Sequence, residues 1–127
     1  MKTNELTGAA LDWAVAKCEG GTGLWHDTVA TYWVKLDGKD RALSKGWAQS
    51  YLPSTDWSQG GPIIEREKLC LDIDSAGVWL AWTKQNYDDE PRHMVSGPTP
   101  LIAAMRCYVA SKLGDNVEIP TELGGTN

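Results

Sequence analysis

The stretch Gly97–Asp115, GPTPLIAAMRCYVASKLGD, constrains the fold more than any other part of this chain. Thr99 stands where a helix N-cap belongs, its hydroxyl placed to take a free amide of the first turn. Pro100 suits the first helical position, where its missing N–H costs nothing, and Gly114 supplies a stop. The spacing predicts a helix over Pro100–Leu113. Leu101, Ile102, Met105, Val109 and Leu113 fill one arc of it. Ala103, Ala104, Cys107, Ala110 and Ser111 form a second face of small side chains, which lets another backbone come close. A helix of this kind is covered on both sides, so the rest of the chain must supply two layers for it. Arg106, at the edge of the apolar arc, and Lys112 are its only charges.

A first helix is expected from Glu5 to Cys18. Leu6, Ala9, Ala10, Trp13, Ala14 and Lys17 recur at helical steps, Thr3 or Asn4 can cap the start, and Gly20–Gly21 ends it. Between the helices the chain reads as strands. Thr28–Leu36 is β-branched and aromatic, and Asp37–Gly38 is a turn. Leu69–Ile73 and Val78–Lys84, joined by Asp74–Gly77, form an antiparallel hairpin. Pro62 argues against a helix interior, so Ile63–Glu67 is expected as another strand. Asp40–Ser50 fits either irregular chain or a short helical turn carrying Trp47. Asn86–Gly97 is polar and loop-like, and the tail from Asp115 to Asn127 reads as extended, then frayed or disordered. The whole predicts one domain over residues 1–127 of class α+β: a small antiparallel sheet packed by an N-terminal and a C-terminal helix, an αβα-like sandwich.

Composition narrows the function classes. Net charge is −5 and no basic stripe exists, which argues against binding a nucleic-acid polymer. Cys18, Cys70 and Cys107 are an odd set without C-x-x-C spacing, so reduced thiols are expected and neither a disulfide frame nor a zinc site. No leader-like apolar run follows a basic segment, and no stretch is long and apolar enough to span a membrane. Seven Trp and no Phe is the odd feature. Phe fills a core without an N–H to satisfy, so a Trp surplus points to indoles that stack or bond at a surface.

Three blocks in order, ELTGAALDWAVAKCEG (Glu5–Gly20), STDWSQGGPIIERE (Ser54–Glu67) and the Gly97–Asp115 stretch, resemble the NinX-type family of lambdoid bacteriophages. Those are small accessory proteins containing a domain of unknown function. The central loop and last helix are also similar to phage domains described as α/β/α sandwiches. The resemblance implies a phage-encoded, non-essential protein of the host bacterial cytoplasm with an αβα-like arrangement. It carries over no catalytic residue. Gly38–Trp47 and Gln85–His93 lie outside the three blocks.

Catalytic motifs are weak. His26 and His93 sit in no metal or nucleophile-elbow spacing, and a Ser54–His26–Asp56 triad is a chance triple of the kind any chain this long offers. Asp72 and Asp74 lack the rest of a calcium loop. Glu65 and Glu67, with Arg66 opposite, read as a solvated strand face. Gly60–Gly61 is followed by proline rather than by a phosphate-binding helix. The expectation is a protein that is not an enzyme and needs no cofactor or metal.

Binding chemistry concentrates in Tyr51–Pro62, YLPSTDWSQGGP, too polar for a core strand and too aromatic for a linker. Ser54, Thr55 and Asp56 suit turn capping or a ligand's polar groups. Tyr51 and Trp57 offer stacking faces, Gln59 an amide for a ring edge, and Gly60 and Gly61 close backbone approach. Thr99 and Arg106 would face this loop from the last helix and hold an anion, although Arg106 fits an internal salt bridge with Asp56 equally well. The expected function is sequestration of a small nucleotide-like ligand, such as a host immune signalling molecule. Two rivals stay open: an inhibitor that binds a host protein through Trp25, Trp33, Trp47 or Trp57, and a small hydrolase without a recognisable motif. The small-residue helix face and the Trp surplus leave room for a homo-oligomer.

Overall fold

The computed structural model describes residues 1–27, 31–83 and 94–124. Among these residues three α-helices, α1 (Gly8–Cys18), α2 (Trp57–Glu67) and α3 (Pro100–Leu113), combine with six short strands. Strands β1 (Thr22–His26), β2 (Tyr32–Leu36) and β3 (Lys39–Ala42) form one antiparallel sheet in that order. Strands β4 (Cys70–Ile73), β5 (Trp79–Trp82) and β6 (Val95–Gly97) form a second. The α+β class is as expected, with the antiparallel strands split between two sheets instead of one.

Helix α3 is the centre of the core and has the predicted limits. Thr99 Oγ1 accepts the Ile102 amide at 3.1 Å, and Leu101, Ala103, Ala104, Met105, Cys107, Tyr108 and Val109 are buried. One side meets β4, β5 and β6, the other α1 and α2. The small face works as its composition predicts: a Cβ on Gly97 of β6 would lie 2.7 Å from the Ala103 nitrogen. Helix α1 is buried nearly all round, every residue from Ala10 to Ala16, and its far side meets β2 of the first sheet. It starts at Gly8 after a 3-10 turn over Thr3–Glu5, so neither Thr3 nor Asn4 caps it. Thr3 instead donates to the Gly114 carbonyl at 2.7 Å.

Three expectations need correction. Ile63–Glu67 is not a strand but the second half of α2. Asp56 supplies the missing start signal by accepting the Ser58 amide at 3.0 Å. Pro62 is tolerated because it and Ser58, whose carbonyl loses its partner, are both exposed to water. Burial of Gly60 and Ile63 outweighs the poor helix propensity of the Gly-Gly-Pro run. The ambiguous stretch after Asp37–Gly38 opens with β3, because both turn residues take positive φ (53° and 76°), the geometry of a two-residue hairpin turn. β6, finally, occupies the end of the expected loop Asn86–Gly97; Gln85–His93 lies outside the described residues.

The β4–β5 hairpin has its expected turn, with Asp74 Oδ1 taking the Ala76 and Val78 amides. Past Asp115 the chain docks on the N-terminus, Met1 and Val117 exchanging two hydrogen bonds, with Val117 and Ile119 buried, and then makes a 3-10 turn over Thr121–Leu123 in place of the expected frayed tail.

Candidate functional site

An open cleft of about 470 Å³ lies between the β2–β3 hairpin and α2, lined by Glu19, Leu36, Asp37, Arg41, Tyr51, Gln59, Pro62, Ile63 and Arg66. Arg41 projects from β3 in the cross-strand row of Val34, and its guanidinium is fixed at three points. Nε–H donates to the Gln49 carbonyl at 3.0 Å, Nη2–H donates to the Ser50 carbonyl at 3.1 Å, and the carbon lies 5.1 Å over the Tyr51 ring. Among the described residues no carboxylate pairs with it. Nη1 makes no bond to any of them, so it is open to an incoming acceptor.

The floor is the segment Gln49–Asp56, held from both sides. The Tyr51 amide donates to the Ala42 carbonyl at 2.7 Å and the Ala42 amide to Gln49 at 3.0 Å. From α2, Gln59 Oε1 accepts the Leu52 amide at 2.9 Å while its Nε2 donates to the Ser50 carbonyl and to Asp56. From α1, the buried Asp12 accepts the Ser54 amide at 2.9 Å. The Ser54 hydroxyl also faces that carboxylate without forming a well-aligned bond. Burial pushes the Asp12 pKa up to about 6, against the lowering effect of Ser54.

Arg66 forms the far wall and is already engaged. It makes a fork to both Glu19 oxygens at 2.9 and 2.7 Å, reaches Glu67 at 2.9 Å and lies over the Tyr108 ring. Tyr108 in turn donates to Glu19 at 2.5 Å. Partial burial favours a neutral Glu19, but the bonds from Arg66 and Tyr108 outweigh it and hold the carboxyl below its usual range. Among the described residues, then, Arg66 in the cleft is paired with carboxylates and Arg41 forms no ion pair, with Asp37 the other charge in the lining.

A family model described as bacteriophage P22, NinX, matches residues 2–112. The chain belongs to that family. This makes it a phage accessory protein, and the match takes in Arg41, Tyr51, Gln59 and Arg66, including the Gly38–Trp47 stretch outside the three resembling blocks. No curated protein matches the chain.

Within this NinX-family fold the expected site residues separate. Tyr51 and Gln59 line the cleft; Ser54 is buried behind it against Asp12. Asp56 caps α2, and its bonds from Ser58 and Gln59 hold its carboxyl below the usual range. Thr55 is exposed, and Trp57 points to solvent with 53% of its surface accessible. Gly60 approaches protein instead of ligand: a Cβ there would sit 2.3 Å from the Pro53 oxygen and 2.6 Å from Leu101 Cδ1. A Cβ on Gly61 would meet nothing beyond its chain neighbours closer than Trp57. Thr99 is used as the cap of α3. Arg106 donates to the Leu6 and Ser96 carbonyls at 2.8 and 2.9 Å, so it bonds neither to Asp56 nor into the cleft.

Arg41, Arg66 and Glu19 carry no sequence signal as site residues. Arg41 sits in a stretch without clear periodicity, and Arg66 reads in sequence as part of a strand face. The remaining motifs are used locally: His26 packs on Tyr32, and Asp72 and Asp74 bond to nearby amides. Among the described residues no cluster of three or more His, Cys, Asp or Glu side chains could hold a metal, and no helix is long and apolar enough to cross a membrane.

Proposed function

We propose that this phage accessory protein is a non-enzymatic binder of a small, anionic, nucleotide-like ligand, acting in the host cytoplasm to sequester a signalling molecule. The observation that carries the proposal is Arg41: a guanidinium without a carboxylate partner among the described residues, oriented by two carbonyls and a tyrosine ring on the wall of a 470 Å³ cleft. A pre-oriented arginine loses little freedom when it takes a phosphate oxygen, and the cleft volume is in the range of small-molecule sites. Leu36, Pro62 and Ile63 supply apolar wall for a ring. The test is a thermal-shift and tryptophan-fluorescence titration against mononucleotides, cyclic mononucleotides and cyclic dinucleotides, with mass spectrometry of small molecules released on heating the purified protein. At least one nucleotide should stabilise the wild type, and Arg41→Met should abolish that shift. No response across the panel, or an unchanged response in Arg41→Met, would sink the proposal.

A second reading has its own observation. Trp25 and Trp47 are 45% and 40% exposed on the face of the first sheet turned away from Val34, where Trp25 stacks on the buried Trp33 and Trp47 meets it edge-on. Two exposed indoles are the kind of anchor that protein interfaces use. A host protein that co-purifies one-to-one with the wild type and is lost in Trp25→Ala would favour an inhibitor of a host factor.

A further inference from the structure

We infer that Gln59 is a positioning residue for Arg41: it fixes the Ser50 carbonyl, and through it the guanidinium that would meet an anion. The inference rests on the cleft reading above and extends it to a lining residue whose amide is committed to the protein.

The Ser50 carbonyl is the shared point. It accepts Nη2–H of Arg41 at 3.1 Å and Nε2–H of Gln59 at 3.0 Å. Gln59 pins the same segment a second time by accepting the Leu52 amide at 2.9 Å, and its own amide is fixed by Asp56 at 3.1 Å. Both Gln59 donors and its acceptor oxygen are thereby used, so the amide is spent on the protein and has no donor left to read a ring edge. What it governs is the geometry of Gln49–Leu52, whose two carbonyls aim Arg41. Other charges around it are Asp56 at its own helix start, Arg41 on β3, Asp37 in the β2–β3 turn, Arg66 two turns along α2, Asp12 from α1 and Glu19 just past the end of α1. Only Asp56 bonds Gln59 directly.

Losing the amide would free the Ser50 carbonyl and let the Arg41 side chain sample several rotamers. Binding an anion would then have to order it again, which predicts a roughly three- to tenfold weaker affinity, the cost of immobilising one long side chain. The test combines two readouts on Gln59→Leu and Gln59→Glu. The first is water exchange of the Arg41 Nε–H in the free protein, followed by NMR. The second is the dissociation constant for adenosine monophosphate. In the wild type the Nε–H signal should be protected, and in Gln59→Leu it should exchange at least tenfold faster, with weaker nucleotide binding and a retained cooperative melt.

Gln59→Glu adds a control for misfolding. Near neutral pH the carboxylate repels the Ser50 carbonyl and Asp56, and both readouts should be lost. At about pH 4 a protonated Glu has the shape of Gln and one O–H donor, enough for the Ser50 carbonyl but not for Asp56 as well, and the variant should recover part of the way toward the wild-type values measured at the same pH. An Arg41 signal that stays protected in Gln59→Leu, or no recovery of Gln59→Glu at low pH, overturns the inference. Wild-type protein that binds no nucleotide overturns the cleft reading instead, and the exchange measurement still decides whether Gln59 orders Arg41.

Discussion

Arg106 and Arg41 each hand Nε–H to one backbone carbonyl and an Nη–H to another, yet they sit in opposite surroundings. Arg106 is 8% exposed, wedged between α3, the Leu6 turn and β6, where desolvation weakens its hold on its proton. Arg41 lies over Tyr51 at the edge of an open cleft. Identical donor chemistry makes a buried staple in one place and leaves a guanidinium at an open cleft in the other. The difference is which carbonyls would be stranded without water if the arginine left. For Arg106 the Leu6 carbonyl belongs to a residue fully sealed in the core. For Arg41 the carbonyls belong to Gln49 and Ser50 at the surface side of the segment.

Substitution breaks this comparison most directly. Arg106→Met should cost about 3 kcal/mol in urea unfolding, because buried carbonyls lose a charged donor. Arg41→Met should change stability by less than about 1 kcal/mol while removing nucleotide binding. Equal losses would make Arg41 a second staple and remove the basis of the cleft.

The carboxylates repeat the contrast. Asp12 is 2% exposed with a pKa raised to about 6 from 3.8, whereas capping bonds lower that of the more accessible Asp56. For Asp12 the folded state holds the proton more tightly than the unfolded chain. Its contribution is therefore full below about pH 4 and is lost as pH rises through 6. Asp12→Asn should not show this loss, gaining on the order of 2–3 kcal/mol over wild type between pH 4 and pH 8. Urea titrations at the two pH values would settle it, and parallel curves for the two proteins would count against a strained carboxylate. Glu19, Glu67 and Asp56, whose values are lowered, act oppositely but equally in both proteins.

A smaller test uses the two glycines of α2. Gly60→Ala should destabilise by about 2 kcal/mol, since its Cβ would collide with the Pro53 oxygen and Leu101. Gly61→Ala, whose Cβ would meet nothing beyond its chain neighbours closer than Trp57 at 3.9 Å, should stay within about 1 kcal/mol of wild type, better helix propensity being offset by crowding against the following Pro62. A clearly larger drop in melting temperature for Gly60→Ala is the expected outcome. Least affected should be Trp57→Ala, with stability within about 0.5 kcal/mol of wild type and nucleotide affinity unchanged. A large loss of affinity there would move the site from the cleft to the start of α2.

Much of the fold is legible in local chemistry. Thr99, Pro100 and Gly114 mark both ends of α3, and the Asp74–Gly77 turn places β4 beside β5, because caps and turns involve residues a few positions apart. Helix α2 escapes a local reading for the same reason. The Gly60–Gly61–Pro62 run opposes a helix, and it takes burial of Gly60 against Pro53 and Leu101 and of Ile63, added to the Asp56 cap, to reverse that preference.

The sequence by itself determined the α+β class, the central helix with its two covered faces, the likeness to the NinX family and the polar segment that floors the cleft. Tertiary structure decided which polar groups face solvent. Of the ten residues expected to bind, Tyr51 and Gln59 reach the cleft, while Ser54, Asp56, Gly60, Thr99 and Arg106 are committed to caps, close packing and buried carbonyls. Arg41 enters from a strand without sequence signal, through contacts eight and nine residues away. A side chain's donors are written in its identity, but whether they are spent inside the protein or left for a ligand depends on neighbours that only folding brings near.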